Sequence, residues 1–213
     1  MTARIKKLYD EIVCCQVFAD IGCDHGYVAK AVLDGNKCDK VIISDISEKC
    51  LKKAEDLLSD YVKSGRAESK VSDGFEKIEY CDQALVAGMG GEEICGIISR
   101  AKSLPERLIL QPMKNTRKVR ELLLEKGYCI QKDFVFYVGR KYYDLIVATT
   151  GRDKYSEEEL DFGRTNLQEK SKDFIRRLTE EKDKLFSYVN SGNLSDKDVE
   201  NMKREIEKIE RYL

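Results

Sequence analysis

The chain holds a single histidine, His25, and its eight cysteines, at positions 14, 15, 23, 38, 50, 81, 95 and 129, include no C-x-x-C pair. That spacing supplies no zinc-binding set and reads as reduced thiols packed as small hydrophobes, not as a disulfide framework. No apolar run approaches the length that spans a bilayer, and Met1 to Lys7 lack the apolar core of a signal peptide. The expectation is a soluble, cytoplasmic protein with no membrane segment and no metal. An excess of either charge is missing too. The 38 basic and 39 acidic residues give a formal charge of −1, so composition provides no overall attraction to a polyanion and any basic face must be local.

What is present is organised around Val17 to Lys30, a short apolar run that breaks at Gly22 and restarts with helical spacing. The pattern predicts strand, tight turn and helix. Gly22 and Gly26 let a backbone approach a ligand closely, and a helix starting near Gly26 aims free N–H groups into the same crevice. Asp24 stands where the second glycine of G-x-G-x-x-G would be. Together with Asp20 at the strand's end it makes the turn acidic, which suits a ligand with cationic groups and disfavours a pyrophosphate. S-adenosylmethionine, with its ammonium and sulfonium, meets that demand better than a nicotinamide dinucleotide. From this stretch alone, a turn whose acids only cap the helix is the alternative.

Apolar spacing at Ile5, Leu8, Ile12 and Val13 predicts an amphipathic helix over 3–15, ahead of this strand. After it, Val41 to Ile43 reads as strand and Ser47 as the cap of a helix running to Tyr61. A weaker strand over Glu68–Val71 precedes Ser72-Asp73-Gly74. Ala84 to Ala87 is the next strand, followed by a helix over Glu92–Ala101. Leu108 to Leu110 and a helix over Val119–Lys126 complete five alternations. Such alternation implies a doubly wound α/β parallel sheet with ligands at the carboxyl ends of its strands. Tyr128–Val138 and Tyr142–Thr149, joined by Gly139-Arg-Lys141 without a helix, predict a terminal hairpin that adds an antiparallel strand. That is how the class I, Rossmann-like methyltransferase sheet is built, and residues 1–150 are read as that domain. Beyond Tyr155 the composition turns polar, and Leu160, Leu167, Phe174, Leu178 and Leu185 predict one long amphipathic helix. A break at Asn190 to Asn193, with Ser195 and Asp198 as a capping box, starts a second. Residues 151–213 are therefore read as an antiparallel helical hairpin or coiled coil.

The parallel order brings four loop groups to one rim: Asp20/Gly22, Asp45, Asp73/Gly74 and Gly88 to Gly91. Asp45 can accept both hydroxyls of a ribose, or act as a helix N-terminal acid. Asp73 can accept from an adenine amino group beside the Gly74 N–H, or form a plain turn. Ala87-Gly-Met-Gly-Gly91 leaves room for a flat base or a backbone, with exposed N–H donors, or is a flexible turn before a helix.

Ala19-Asp-Ile-Gly-Cys-Asp-His-Gly-Tyr27, Asp73-Gly74, Ala87-Gly-Met-Gly-Gly91, Leu108-Ile-Leu-Gln-Pro112 and Gly139-Arg-Lys-Tyr-Tyr-Asp-Leu-Ile146 closely resemble the bacterial tRNA (adenine-22-N1)-methyltransferase family, TrmK. The resemblance runs in order from about Arg4 to Val147, and the helices after it match that family's C-terminal coiled coil. It implies methyl transfer from S-adenosyl-L-methionine to N1 of adenine in tRNA. The cofactor would be held by Asp20, Gly22, Asp24, His25, Gly26, Tyr27, Asp45, Ile46, Asp73, Gly74, Ala87 and Gly88. Adenine N1 attacks through an in-plane lone pair and the product base is cationic, so a nearby carboxylate favours the reaction. Asp24 is the candidate for that role, with Gly88 and Met89 as the other catalytic-site candidates. His25 is read as fixing the turn and not as an acid or base. The target base must leave its pair, with Met89, Tyr27 or Tyr142 available for stacking.

For RNA the expected contacts are Gly90, Gly91, Gln111, Lys114, Arg117, Arg120, Arg140, Lys141 and Tyr142. Arg4/Lys6/Lys7 and Arg176/Arg177 are further local basic groups. The helical hairpin either grips tRNA by shape or serves as a packing or dimerising element. The expected state is a monomer or weak homodimer. Two other functions fit the same residues: a methyltransferase with a small-molecule or protein acceptor, and a non-catalytic RNA-binding module on this fold.

Overall fold

A computed structural model describes residues 1–191 and 195–213 of the chain. Helix α1 (Ala3–Glu11) begins at Thr2, whose hydroxyl accepts from the Ile5 N–H. It is followed by β1 (Cys15–Ile21), α2 (Tyr27–Asp34), β2 (Cys38–Asp45), α3 (Glu48–Leu57), α4 (Ser59–Lys63), β3 (Ala67–Val71) and β4 (Gln83–Met89). Then come α5 (Gly91–Arg100), β5 (Arg107–Pro112), α6 (Thr116–Glu125) and the long strands β6 (Tyr128–Val138) and β7 (Lys141–Thr150). The seven strands form one sheet in the order β3-β2-β1-β4-β5-β7-β6. β1 to β5 pair in parallel, while β7 inserts antiparallel between β5 and β6.

The near-continuous apolar runs of the central strands follow from burial on both sides. Phe18, Val41, Ile43, Leu85 and Ile109 point into a core shared with α1, α2 and α3. Their neighbours Ala19, Ile21, Ile42, Ala84, Val86, Leu108 and Leu110 point into a second core under α5 and α6. The alternation is the two-residue period of a strand. It leaves the carboxyl ends of β1 to β5 along one edge.

Three expectations about helix length are corrected: the helix predicted over 3–15 stops at Glu11, and Cys15 already begins β1. The helix predicted over 47–61 breaks at Leu58 into α3 and α4. The single helix predicted beyond Tyr155 is three: α7 (Glu157–Phe162), α8 (Arg164–Glu169) and α9 (Lys172–Val189). Gly163 (φ 88°) and Lys170 (φ 44°) take left-handed backbone between them. The cause of the first break is tertiary. Asp133 on β6 accepts from the backbone N–H groups of Arg164 and Thr165, and Arg120 on α6 donates to the carbonyls of Leu160 and Asp161 at the end of α7. A Cβ at Gly163 would stand 2.7 Å from the Arg120 guanidinium, so only glycine fits this junction.

Helix α10 (Asp196–Glu210) returns along α9. Phe174, Leu178 and Ile209 meet Val135 of β6 in a third apolar cluster, flanked by Phe162, Leu167, Leu185 and Tyr212. The predicted break at 190–193 falls partly on 192–194, outside the described residues. At the start of α10, Ser195 accepts from the Asp198 N–H, but the Asp198 carboxylate takes the Ser195 hydroxyl proton instead of a backbone one. The complete capping box lies at Ser156 and Glu159, heading α7. No helix among the described residues is long and apolar enough to cross a membrane.

Candidate active site

Asp20 lies one residue from the end of β1 and is only 5% exposed. Its carboxylate accepts from the Ala29 N–H on α2 at 3.2 Å. Burial, with Asp45 nearby adding to it, outweighs that bond and pushes the carboxyl up to about 7. Among the described residues, no cation stands with the groups that act on it.

The chain then turns sharply. Gly22 (φ 69°) and Cys23 both donate to the Ser44 carbonyl on β2, and Asp24 (φ 49°) donates its N–H to Asp45 Oδ2 at 3.1 Å. The other Asp45 oxygen accepts from Ser47 N–H at 2.8 Å, ahead of α3. These bonds tie the β1 turn to the end of β2, and the Ser72 N–H joins β3 to the same point through the Asp45 carbonyl. His25 Nδ1 lies 2.7 Å from Asp24 Oδ2 and its ring stacks on Tyr27, with centroids 5.7 Å apart and planes 4° from parallel.

Facing this turn, β4 carries a bulge at Gly88, where its register with β5 shifts between Ala87 and Met89. Gly88 (φ 83°) is exposed, and the bulge re-aims Met89 across the end of β1. A Cβ on Gly22 would collide with the Met89 methyl group, so the close approach at Gly22 is made by this thioether.

Between the two strand ends lies a cavity of about 360 Å³, lined by Arg4, Asp20, Asp24, His25, Tyr27 and Met89 with Gly22, Ala87 and Gly88. Arg4, grouped from sequence with Lys6 and Lys7, belongs instead to this lining. Its Nε and Nη2 both donate to Gln111 Oε1, the former at 3.0 Å, and its guanidinium lies 5.3 Å from the Tyr143 ring centroid. A signal existed: Arg4, Ile5 and Leu8 share one helical face, and all three line the cavity.

Other candidates lie elsewhere. Ile46 is 74% exposed next to Asp45. Asp73 pairs with Arg100 at 2.9 Å. Three glycines serve packing: Gly26 faces Ala54 on α3, Gly74 faces Ile97 on α5, and Gly91 abuts the carbonyls of Lys114 and Asn115.

The expected RNA set divides. Lys114, Arg140 and Lys141 are exposed, and Gly90 is the N-cap of α5 beside Lys114. Four expectations are corrected. Arg120 is 1% exposed and bonded to Asp133 at 2.9 Å. Arg117 is taken up by Glu121, Glu157 and Asp161. Gln111 is fully buried and holds Arg4. Tyr142 packs on Tyr137 with centroids 4.8 Å apart, and its hydroxyl is buried toward Glu180. Arg120 and Gln111 are carried inward to structural partners, whereas Arg117 is held at the surface by its three carboxylates.

The family model described as tRNA (adenine(22)-N(1))-methyltransferase, TrmK, matches residues 18–211. The tRNA (adenine(22)-N(1))-methyltransferase of Bacillus subtilis is 28% identical over 156 residues, which is 71% of this chain and 66% of that protein. Its crystal structure superposes with a TM-score of 0.86 at 22% identity, covering 100% of this chain and 98% of that one. M. capricolum TrmK, solved with S-adenosyl-homocysteine, superposes with a TM-score of 0.89 at 23% identity, covering 100% and 97%. The chain belongs to the TrmK family of tRNA (adenine(22)-N(1))-methyltransferases.

Proposed function

We infer that the chain transfers the methyl group of S-adenosyl-L-methionine to N1 of adenine 22 in tRNA. Family membership supports the acceptor. One observation carries the cofactor: a buried carboxylate, Asp20, with no partner cation among the described residues, in a cavity at the carboxyl ends of β1 and β4. A ligand that brings an ammonium removes the cost of that charge.

Asp20 is the group that would hold the cofactor's ammonium, with Gly22, Ala87 and Gly88 lining the same end. Asp45 and Ile46 would take the ribose and one face of the adenine, and Asp73 with Gly74 the adenine edge. The bound cofactor supplies a methyl group already activated on a sulfonium. Asp24, whose carboxylate lines the cavity and is braced by His25, faces the positive charge that grows on the acceptor base. Tyr27, 55% exposed on the cavity wall, offers the stacking surface for a base taken out of its pair, and Met89 the apolar floor. Lys114, Arg140 and Lys141 contact phosphates. Residues 1–150 form the methyl-transfer domain, and 151–213 the helical extension. The protein acts in the cytoplasm as a monomer or weak homodimer, a state that sedimentation with and without tRNA measures.

The test is methyl transfer from labelled S-adenosylmethionine to unmodified tRNA transcripts carrying adenine or guanine at position 22. Label recovered as 1-methyladenosine from the adenine transcript only is the expected result. Incorporation into both transcripts, or into neither, overturns the acceptor assignment.

A further inference from the structure

Cys15 and Cys38 open the neighbouring parallel strands β1 and β2 and stand opposite each other in the register. Paired strands lie about 4.7–4.9 Å apart, within the Cα separations that a disulfide bridges. The two side chains turn toward each other, with their Sγ atoms 2.8 Å apart. Among the described residues no other two thiols share a hydrogen bond. The backbone around the pair is fixed from three directions. The Cys15 N–H donates to the Lys37 carbonyl at 3.0 Å, the Lys37 ammonium donates to the Tyr9 and Ile12 carbonyls at 2.7 and 2.6 Å, and the Gln83 amide exchanges two bonds with the Val13 backbone.

The thiols are not equivalent. Cys15 is half-buried and lines an open cavity of about 480 Å³ together with Cys14, Gln83 and Arg107. Cys38 is 2% exposed. Their shared hydrogen bond holds the Cys15 thiol below its usual range and, with burial adding to it, pushes the Cys38 thiol up. Cys15 is thus the sulfur that a small solute meets and the one that ionises first, and the thiolate is the reactive form. We propose that Cys15 and Cys38 form a reversible oxidation site whose co-substrate is a small hydroperoxide, at the opposite edge of the sheet from the acidic turn.

In the first step the Cys15 thiolate attacks the terminal peroxide oxygen. An S–O bond forms, the O–O bond breaks, and the departing oxygen takes up the proton that Cys15 released, leaving as water or an alcohol. The Cys38 sulfur then attacks the sulfenic sulfur of Cys15. The S–S bond forms, the S–O bond breaks, and the hydroxyl leaves as water with the Cys38 proton. The two sulfurs lose two electrons and the peroxide gains them. The new bond closes β1, the acidic turn and α2 into one loop, which restricts the unfolded chain, and a dithiol reverses it by exchange.

The experiment treats the reduced full chain with an equimolar amount of hydrogen peroxide, blocks the remaining thiols with N-ethylmaleimide, and reads the intact mass and the linked peptides. The expected result is two fewer maleimide groups than the eight of the reduced chain, a Cys15–Cys38 linkage, and a higher urea midpoint, all undone by dithiothreitol. Cys14→Ser keeps the linkage. Cys15→Ser and Cys38→Ser each lose it, and peroxide then leaves the urea midpoint where it was. The linkage map of the wild-type chain identifies the site by itself, so a variant that fails to fold leaves the test standing. The exposed Cys14 is the competitor: its oxidation ahead of Cys15, or a dimer joined through it, overturns the proposal. So does a linkage between any other two cysteines, or a treated chain that still takes up eight maleimide groups.

Discussion

Arg120 Nε donates to Asp133 Oδ2 at 2.9 Å, and both side chains are sealed from solvent, at 2% and 0% exposure. The pair joins α6 to β6, and each member also satisfies backbone groups at the α7–α8 junction. Removing one partner from such a pair leaves the other charge buried and uncompensated. Arg120→Met is expected to destabilise the fold by about 3–5 kcal/mol, read as a lower midpoint in urea unfolding. The KM for tRNA of the folded protein should not change. A stable variant with a raised KM would return Arg120 to the RNA surface.

The exposed cations at the β6–β7 turn predict the opposite pattern. Arg140→Ala with Lys141→Ala should leave the urea midpoint within about 0.5 kcal/mol, as surface changes do. The KM for tRNA should rise severalfold, and its dependence on salt should flatten, because two phosphate contacts are lost. Titrating activity between low and high ionic strength checks both.

The proposed role of Asp20 predicts a cofactor affinity that depends on pH. With its carboxyl raised to about 7 in the free protein, chiefly by burial, the ionised form that attracts an ammonium dominates only above that point. Affinity for S-adenosylhomocysteine is expected to rise about tenfold from pH 6 to pH 8, measured by calorimetry. The stability sign is the reverse. A folded-state pKa above the unfolded value of 3.8 gives a contribution that is fully present below 3.8 and is lost as pH rises through about 7. Asp20→Asn should therefore bind the cofactor poorly at any pH, and unfold at higher urea than wild type at pH 8. A flat affinity profile in the wild type would remove Asp20 from the ammonium site.

Kinetics distinguish the role proposed for Asp24 opposite the acceptor base from a role in holding the cofactor. Asp24→Asn keeps the shape of the turn, whose backbone bond to Asp45 comes from the N–H, while removing the charge proposed to face the acceptor. The expected result is a fall in kcat of about tenfold to a hundredfold with little change in S-adenosylhomocysteine affinity. Single-turnover methyl transfer at saturating tRNA measures it. An unchanged rate would move the electrostatic role elsewhere.

Much of the fold was legible in the chain because apolar periodicity is local. The strand-turn-helix at 17–30, the five parallel strands and the terminal hairpin stand where the spacing of Phe18, Val41, Leu85, Ile109 and Phe136 puts them, but no helix separates β3 from β4, so the five expected alternations are four. The turn chemistry was legible for the same reason: Gly22, Asp24 and Gly88 take positive φ where the residues permit it. Helix breaks at Leu58 and Gly163 were not. At Gly163 the competing bonds come from Asp133 and Arg120, dozens of residues away in the chain.

The sequence by itself determined the order of elements, the acidic turn and the motifs by which the family is known, since each depends on neighbours within a few residues. Only the tertiary structure decided which charges are free to act. Arg4, Arg117, Arg120 and Arg140 are alike as letters, yet one points into the cavity, one is tied up at the surface by three carboxylates, one is buried with Asp133, and one stays exposed. A side chain's partners and its exposure to water are set by groups brought together from distant parts of the chain, and those two quantities fix what a charge can bind.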